Sequence, residues 1–189
     1  MKILVFDNYD SFTYNLVHYL EKITNKKVDV YRNDEIALED IKQYDKIVLS
    51  PGPGIPEEAG LLKPLIKEYA PTKSIFGVCL GMQAMAEVYG GSLKNLDTVY
   101  HGIATPVVQI GNDKIIYKDI PEKFDAGRYH SWIVDNRNLP DSFQISSFDN
   151  EGQIMSLFHK DYDLRGVQFH PESVLTPLGE KMIKNWLES

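Results

Sequence analysis

The sequence predicts an α/β fold: an open, mostly parallel sheet covered by helices on both faces, with additional mixed or antiparallel strands in the C-terminal half. Three observations carry this. Through about residue 90, compact apolar runs alternate with stretches of helical spacing. From about Ser92 to His159 the texture changes to short β-type runs separated by Asn, Asp, Gly and Pro. A buried apolar run and a closing helical stretch then return at the C-terminus.

Lys2–Asp7 (KILVFD) is an apolar run ending in a polar turn, as a buried first strand would be. Asp10-Ser11 is placed to cap the following helix, where Phe12, Leu16, Tyr19, Leu20 and Ile23 recur at helical spacing. Val28–Tyr31 reads as a second strand, EIALEDIKQYD as a short helix, and Lys46–Ser50 (KIVLS) as a third strand. PGPGIPEEAG is a stiff loop before a helix near Leu61–Tyr69, and Ser74–Val78 is a fourth strand. Leu80–Tyr89 is apolar on nearly every side, which predicts a central, buried helix ended by Gly90-Gly91. The later β-type runs are TPVVQI, KIIYK, DAGRYH, FQISSF and QIMSLFH; Leu164–Phe169 is again a buried strand, and TPLGEKMIKNWLES closes as a helix. With no repeat or linker, residues 1–189 read as one domain.

Composition excludes several classes. The chain of 189 residues has a formal net charge of −7, which argues against a nucleic-acid groove or an anionic membrane as partner. A single cysteine cannot form an internal disulfide, and Asp7 and Asp10 interrupt the N-terminal apolar run, so the reading is a cytoplasmic protein without a secretory signal. No G-x-G-x-x-G or phosphate-loop motif is present, and His18, His101, His130, His159 and His170 have no metal-ligand spacing.

The one thiol lies in IFGVCLGMQ, residues 75–83, bracketed by Gly77 and Gly81 where a buried strand meets a buried helix. Alone, Cys79 would read as a small buried hydrophobe. A glycine two residues to either side makes it a nucleophile elbow, with cysteine in the place serine takes in hydrolases: flanking side chains would strike neighbouring backbone in so tight a turn. The positive end of the helix dipole favours a thiolate there, and the free N–H groups of its first turn can receive an oxyanion. A second motif, Gly166–Glu172 (GVQFHPE), ends a predicted strand at His170 with Glu172 two residues on. Singly, His170 reads as a structural hydrogen-bonding residue and Glu172 as a solvated carboxylate. If their strand neighbours the one before Cys79, His170 reaches the thiol as general base and Glu172 fixes its tautomer. His130 either braces its neighbour Ser131 or faces solvent.

With DNYDSFTYN (7–15), SPGPG (50–54), GVCLGMQ (77–83), YHG (100–102), RYHSW (128–132) and GVQFHPES (166–173), essentially the whole chain resembles the class I, triad-type glutamine amidotransferases, whose fold is flavodoxin-like. Within that family it looks most like the glutaminase subunits of anthranilate synthase and aminodeoxychorismate synthase. The resemblance implies Cys79 as nucleophile, His170 as base and Glu172 as orienting acid. It implies an oxyanion hole from the backbone N–H groups of Gly52 and Leu80, and glutamine held by Gly52, Gly54, Gln83, Ser131 and Trp132. It further implies no cofactor or metal in this chain, and a partner, the chorismate-using synthase subunit, which carries Mg²⁺ and receives the ammonia. Asn8–Thr13 and Tyr100–Ile103 are the expected docking segments. Three positions depart from the pattern of these subunits: Met82 where His is frequent, Ile103 where Lys is frequent, and Trp132 where Leu is usual. The rival readings are a γ-glutamyl peptidase or stand-alone amidase using the same triad, and a catalytically idle binding module of a synthase.

Overall fold

In the computed structural model, which describes residues 1–189, the chain order is β1 (Ile3–Asp7), α1 (Thr13–Thr24), β2 (Asp29–Arg32), β3 (Lys46–Leu49), α2 (Leu62–Tyr69), β4 (Ser74–Val78), α3 (Leu80–Val88), β5 (Leu93–Gln109), β6 (Lys123–Val134), β7 (Phe143–Asp149), β8 (Ile154–His159), β9 (Leu164–Val167) and α4 (Gly179–Leu187). All nine strands join one sheet in the order β2-β1-β3-β4-β9-β8-β7-β5-β6. The first five are parallel. The remaining four pair antiparallel.

Alternation along each parallel strand divides the core. Leu4, Phe6, Ile47, Leu49 and Ile75 face α2 and α3, while Ile3, Val5, Val48, Phe76 and Val78 face α1 and α4. Both faces are therefore apolar, which is why these strands read as continuous hydrophobic runs. Full burial of each such side chain is worth about 1.5–3 kcal/mol. From Leu80 through Ala86 every residue of α3 is buried, as its all-round apolarity predicts. No helix is long and apolar enough to cross a membrane.

The structure departs from the sequence reading at several points. Helix α1 starts at Thr13 without a side-chain cap. The Asp10 carboxylate instead accepts the Phe12 N–H at 2.8 Å, and Asp7 accepts the Thr13 hydroxyl at 2.7 Å, so the acids build the preceding turn. EIALEDIKQYD tightens to a 3-10 turn over Leu38–Gln43. KIIYK is a turn and not a strand. There the Asp113 carboxylate accepts the N–H groups of Ile115 and Ile116 and bends the chain, sending Ile116 and Tyr117 inward together. Strand β5 begins at Leu93, twelve residues before the run that announced it. Only Val107–Gln109 pair with β7, so the rest of β5 pairs with β6 alone, and its residues 93–104 are largely exposed and carry no inside–outside alternation while β6 is mostly buried. Strand β9 stops at Val167, short of His170.

Candidate active site

Cys79 is the single residue between β4 and α3, and its backbone sits at φ 52°, ψ −100°, a conformation non-glycine residues rarely adopt. Its N–H donates to the last carbonyl of β9, Val167 O, at 2.8 Å, and its own carbonyl receives the Gln83 N–H at 3.1 Å. The flanking glycines are demanded by space. A Cβ on Gly77 would lie 2.7 Å from the Gly81 carbonyl carbon, and one on Gly81 would lie 2.8 Å from Leu49 Cβ. The turn therefore closes only with hydrogen at both positions, and it sets the sulfur, 6% exposed as a residue, on the floor of a cleft.

Strand β9 is the parallel neighbour of β4, with Val78 opposite Val167, so the chain leaving β9 passes beside the elbow. His170 is anchored there by its N–H to Gly127 O at 2.9 Å, and Glu172 Oε1 lies 2.7 Å from His170 Nδ1 with both side chains buried. The pairing makes Nδ1 the protonated donor and leaves Nε2 for chemistry. Nε2 is buried and has no hydrogen-bond partner. Burial alone would push this imidazole's pKa down; the nearby Cys79 sulfur and the Glu172 carboxylate outweigh it and raise it to about 10. The hydrogen bond that Sγ accepts comes from Gln168 Nε2 at 3.3 Å and not from His170. The rings of Tyr129 and Phe12 cover His170, with centroids 4.7 and 6.0 Å away.

The cleft, about 290 Å³, is lined by Gly52, Pro53, Gly54, Cys79 and Gln83 on one side and by Val99–His101 and Tyr129–Trp132 on the other. It lies at the carboxyl ends of the parallel strands, where open α/β sheets bind ligands. Asn8, at the end of β1, sets the SPGPG loop: its N–H donates to Ser50 Oγ and its side-chain amide to Ser50 O, each at 2.8 Å. A Cβ on Gly52 would fall 2.6 Å from Asn8 O and 2.9 Å from Leu80 Cδ2, so this loop rests directly on the first turn of α3. The N–H of Leu80, first in its helix, has no intrahelical carbonyl. The two residues expected to supply the oxyanion donors therefore lie in contact with each other.

On the far wall the β5–β6 register jumps from Asn95↔Trp132 to Tyr100↔His130, leaving Ser131 opposite a bulge and outside the ladder. Trp132 O accepts both Gln83 Nε2 at 2.8 Å and His130 Nδ1 at 3.0 Å. His130 is buried, and its Nε2 accepts from Arg128 Nε at 3.1 Å, so it is neutral with the proton on Nδ1. Burial, and then the Arg128 charge, push its pKa down to about 3. Arg128 is held by Asp149 at 2.8 Å and lies 3.6 Å over the Tyr100 ring. His130 therefore does not face solvent, and what it holds is the Trp132 carbonyl and not Ser131 itself.

A family model of class I glutamine amidotransferases matches residues 4–189. The chain belongs to this family. It is 42% identical over 189 residues to the aminodeoxychorismate/anthranilate synthase component 2 of Bacillus subtilis, covering 99% of this chain and 96% of that one. It is 42% identical over 193 residues to the anthranilate synthase component 2 of Thermus thermophilus, covering 100% and 92%. A solved structure from Thermoplasma acidophilum, described as a subunit of GMP synthase, superposes with a TM-score of 0.87 at 26% identity, over 100% of this chain and 92% of that one.

In this amidotransferase the three departures fall in different places. Met82 is fully buried in the core, and its Cα would lie 3.0 Å from a Cβ on Gly166, so it takes no part in the cleft. Ile103 is exposed on β5, and Trp132 meets Gln83 and His130 through its carbonyl. The expected docking segments are narrower than the sequence suggested: Asn8 and Thr13 are buried, leaving Tyr9 and Ser11 exposed, and Tyr100 lies beneath Arg128 while His101–Ile103 face outward. Sequence reading missed Asn8, Arg128 and Gln168 as parts of the site. For Gln168 a signal existed: an uncharged polar residue inside the apolar run Val167–Phe169 must find buried partners.

Proposed function

We propose that this chain is the glutaminase subunit of a two-protein synthase that aminates chorismate, with anthranilate as product. The observation that supports it is a strained cysteine on the cleft floor, next to the strand that leads into a Glu172-anchored imidazole, with the Gly52 loop resting on the helix that follows the cysteine. Gly54, Gln83, Ser131 and Trp132 line the same cleft and hold the glutamine. The Cys79 thiolate attacks the side-chain carbonyl carbon, and the Gly52 and Leu80 N–H groups receive the oxyanion. Collapse breaks the C–N bond; the nitrogen takes the His170 proton and leaves as ammonia, and a γ-glutamyl thioester remains. Water then gives a proton to His170 and attacks the thioester, glutamate leaves, and thiolate and imidazolium are restored.

Ammonia that reaches water is protonated and ceases to be a nucleophile, so it passes directly to an acceptor site on the partner. This chain needs no cofactor for its own step; the Mg²⁺ and the aromatic chemistry belong to the synthase subunit. The partner docks through the segments Asn8–Thr13 and Tyr100–Ile103, of which Tyr9 and Ile103 are exposed apolar contacts and Tyr100 and His101 line the cleft. The complex works in the cytoplasm, a reading supported by a lone free thiol that must stay reduced to act. A second reading, amination to aminodeoxychorismate, is supported by the Bacillus subtilis relative, whose name carries both products. Isolating the native complex and identifying the aromatic amine it forms from chorismate and glutamine decides between them. A Cys79→Ala complex that still hydrolyses glutamine at the parental rate would overturn the mechanism.

A further inference from the structure

We infer that Gln168 is a dedicated hydrogen-bond donor to the nucleophilic sulfur, and that Gln83 links it to the strand that holds the substrate. This deepens the reading of Cys79 as nucleophile and rests on it.

The geometry leaves one way to place the amides. Trp132 O is a main-chain carbonyl and can only accept, so the Gln83 group 2.8 Å from it is the Nε2 amine. That amine has two hydrogens, and the second is directed to Gln168, where the atom 3.1 Å away must be Oε1. Gln168 Nε2 is thereby turned to Cys79 Sγ at 3.3 Å. Rotating the Gln168 amide by half a turn would face two donors at Gln83 and is excluded. Gln168 is fully buried and cannot exchange its partners for water, while Gln83 is nearly so and reaches the cleft. Gln168 is further fixed by its own N–H, which donates to Met155 O at 2.8 Å.

The sulfur therefore receives a donated N–H from a side chain that cannot turn away, while His170 carries the proton for the leaving nitrogen. A donor suits a thiolate far better than a thiol, since anionic acceptors form the stronger bond. It also fixes the direction in which the sulfur presents its remaining electron pairs to the cleft. Because the same Gln83 amine bonds Trp132 O, a shift of that wall on substrate entry changes the donor that the sulfur sees.

The test is alkylation of Cys79 in the whole chain by a glutamine-like chloroketone and by iodoacetamide, comparing the parent with Gln168→Met and Gln168→Leu, both close in volume to glutamine. Loss of one bond to a charged acceptor predicts a fall in rate of about 10- to 100-fold. Ultraviolet thiolate absorbance should drop in parallel, and in the complex with the synthase subunit kcat should fall while KM stays within about threefold. Gln83→Leu should slow alkylation less than the Gln168 variants and raise KM. A merely structural role for Gln168 would lower thermal stability without changing thiolate absorbance. A labelled parent with Gln168→Met and Gln168→Leu chains labelled equally fast overturns this inference alone. A parent that neither reagent labels overturns the reading of Cys79 as well.

Discussion

His170 Nδ1 and Glu172 Oε1 stand 2.7 Å apart across a single proline, with both side chains shut away from water. The carboxylate fixes the ring's tautomer and, after the sulfur, does most to keep its proton on. Glu172→Gln should lower the pH at which His170 titrates and cut glutaminase turnover on the order of 10²- to 10⁴-fold. Nitrogen NMR of the ring in parent and variant measures the first, and an ammonia-release assay the second. An unchanged titration would remove Glu172 from the role given to it.

The raised proton affinity of His170 has a stability consequence with a definite sign. Held above its ordinary 6.5 and reaching about 10, it contributes stability that is complete below pH 6.5 and is lost as the pH rises through about 10. Thermal unfolding between pH 6 and 10.5 should therefore show a steeper alkaline decline in the parent than in Cys79→Ala, which removes the sulfur's contribution.

His130 works in the opposite direction. Its folded value lies near 3 against an ordinary 6.5, so its contribution is present above pH 6.5 and is lost as the pH falls toward 3. A His130→Gln chain should lose less thermal stability than the parent between pH 6.5 and 4. Protonation would also break the bond from Arg128, so KM for glutamine should rise in the parent only as the pH falls toward 3.

At the elbow, Gly81→Ala places a methyl 2.8 Å from Leu49 Cβ and 3.0 Å from its carbonyl oxygen, neither able to retreat from the sheet. A cost of about 1–3 kcal/mol is expected, read as a lowered urea midpoint at unchanged slope, with alkylation of Cys79 slowed as the turn opens.

Asn8→Ala removes the side-chain bond to Ser50 O and leaves Asn33 Nδ2 without its partner. The loop carrying Gly52 should then shift from its place between Asn8 and Leu80. Steady-state kinetics should show kcat falling more than KM rises, because the oxyanion exists only beyond the ground state. The reverse pattern would mean that the loop serves binding alone.

The elbow was legible because its cause is local. Gly77 and Gly81 are needed for a clash confined to one turn and the strand beside it, and the motif alone foretells it. His170 was legible on a condition, that its strand lie beside β4, and the pairing of Val78 with Val167 meets it. The supporting residues were not legible, because their partners lie far along the chain: Asn8 meets Ser50 across 42 positions, Arg128 meets Asp149 across 21, and Gln168 meets Cys79 across 89. KIIYK misled because its two isoleucines suit a strand, while Asp113 just before them spends its carboxylate on bending the backbone. The first part of β5, Leu93–Ala104, was missed since a largely exposed strand has no reason to alternate.

The insertion of β9 between β4 and β8 has a consequence for how the molecule comes into being. While the polypeptide is still emerging from the ribosome, β4 has β3 on one side and a bare edge on the other, open until residues 164–167 arrive to fill it. The imidazole and both amide relays come from the same late segment or fold against it. A chain not yet extended through residue 172 therefore lacks the imidazole, its carboxylate and the Gln168 amide, and the cleft is completed only once that segment has been made and has folded against β4.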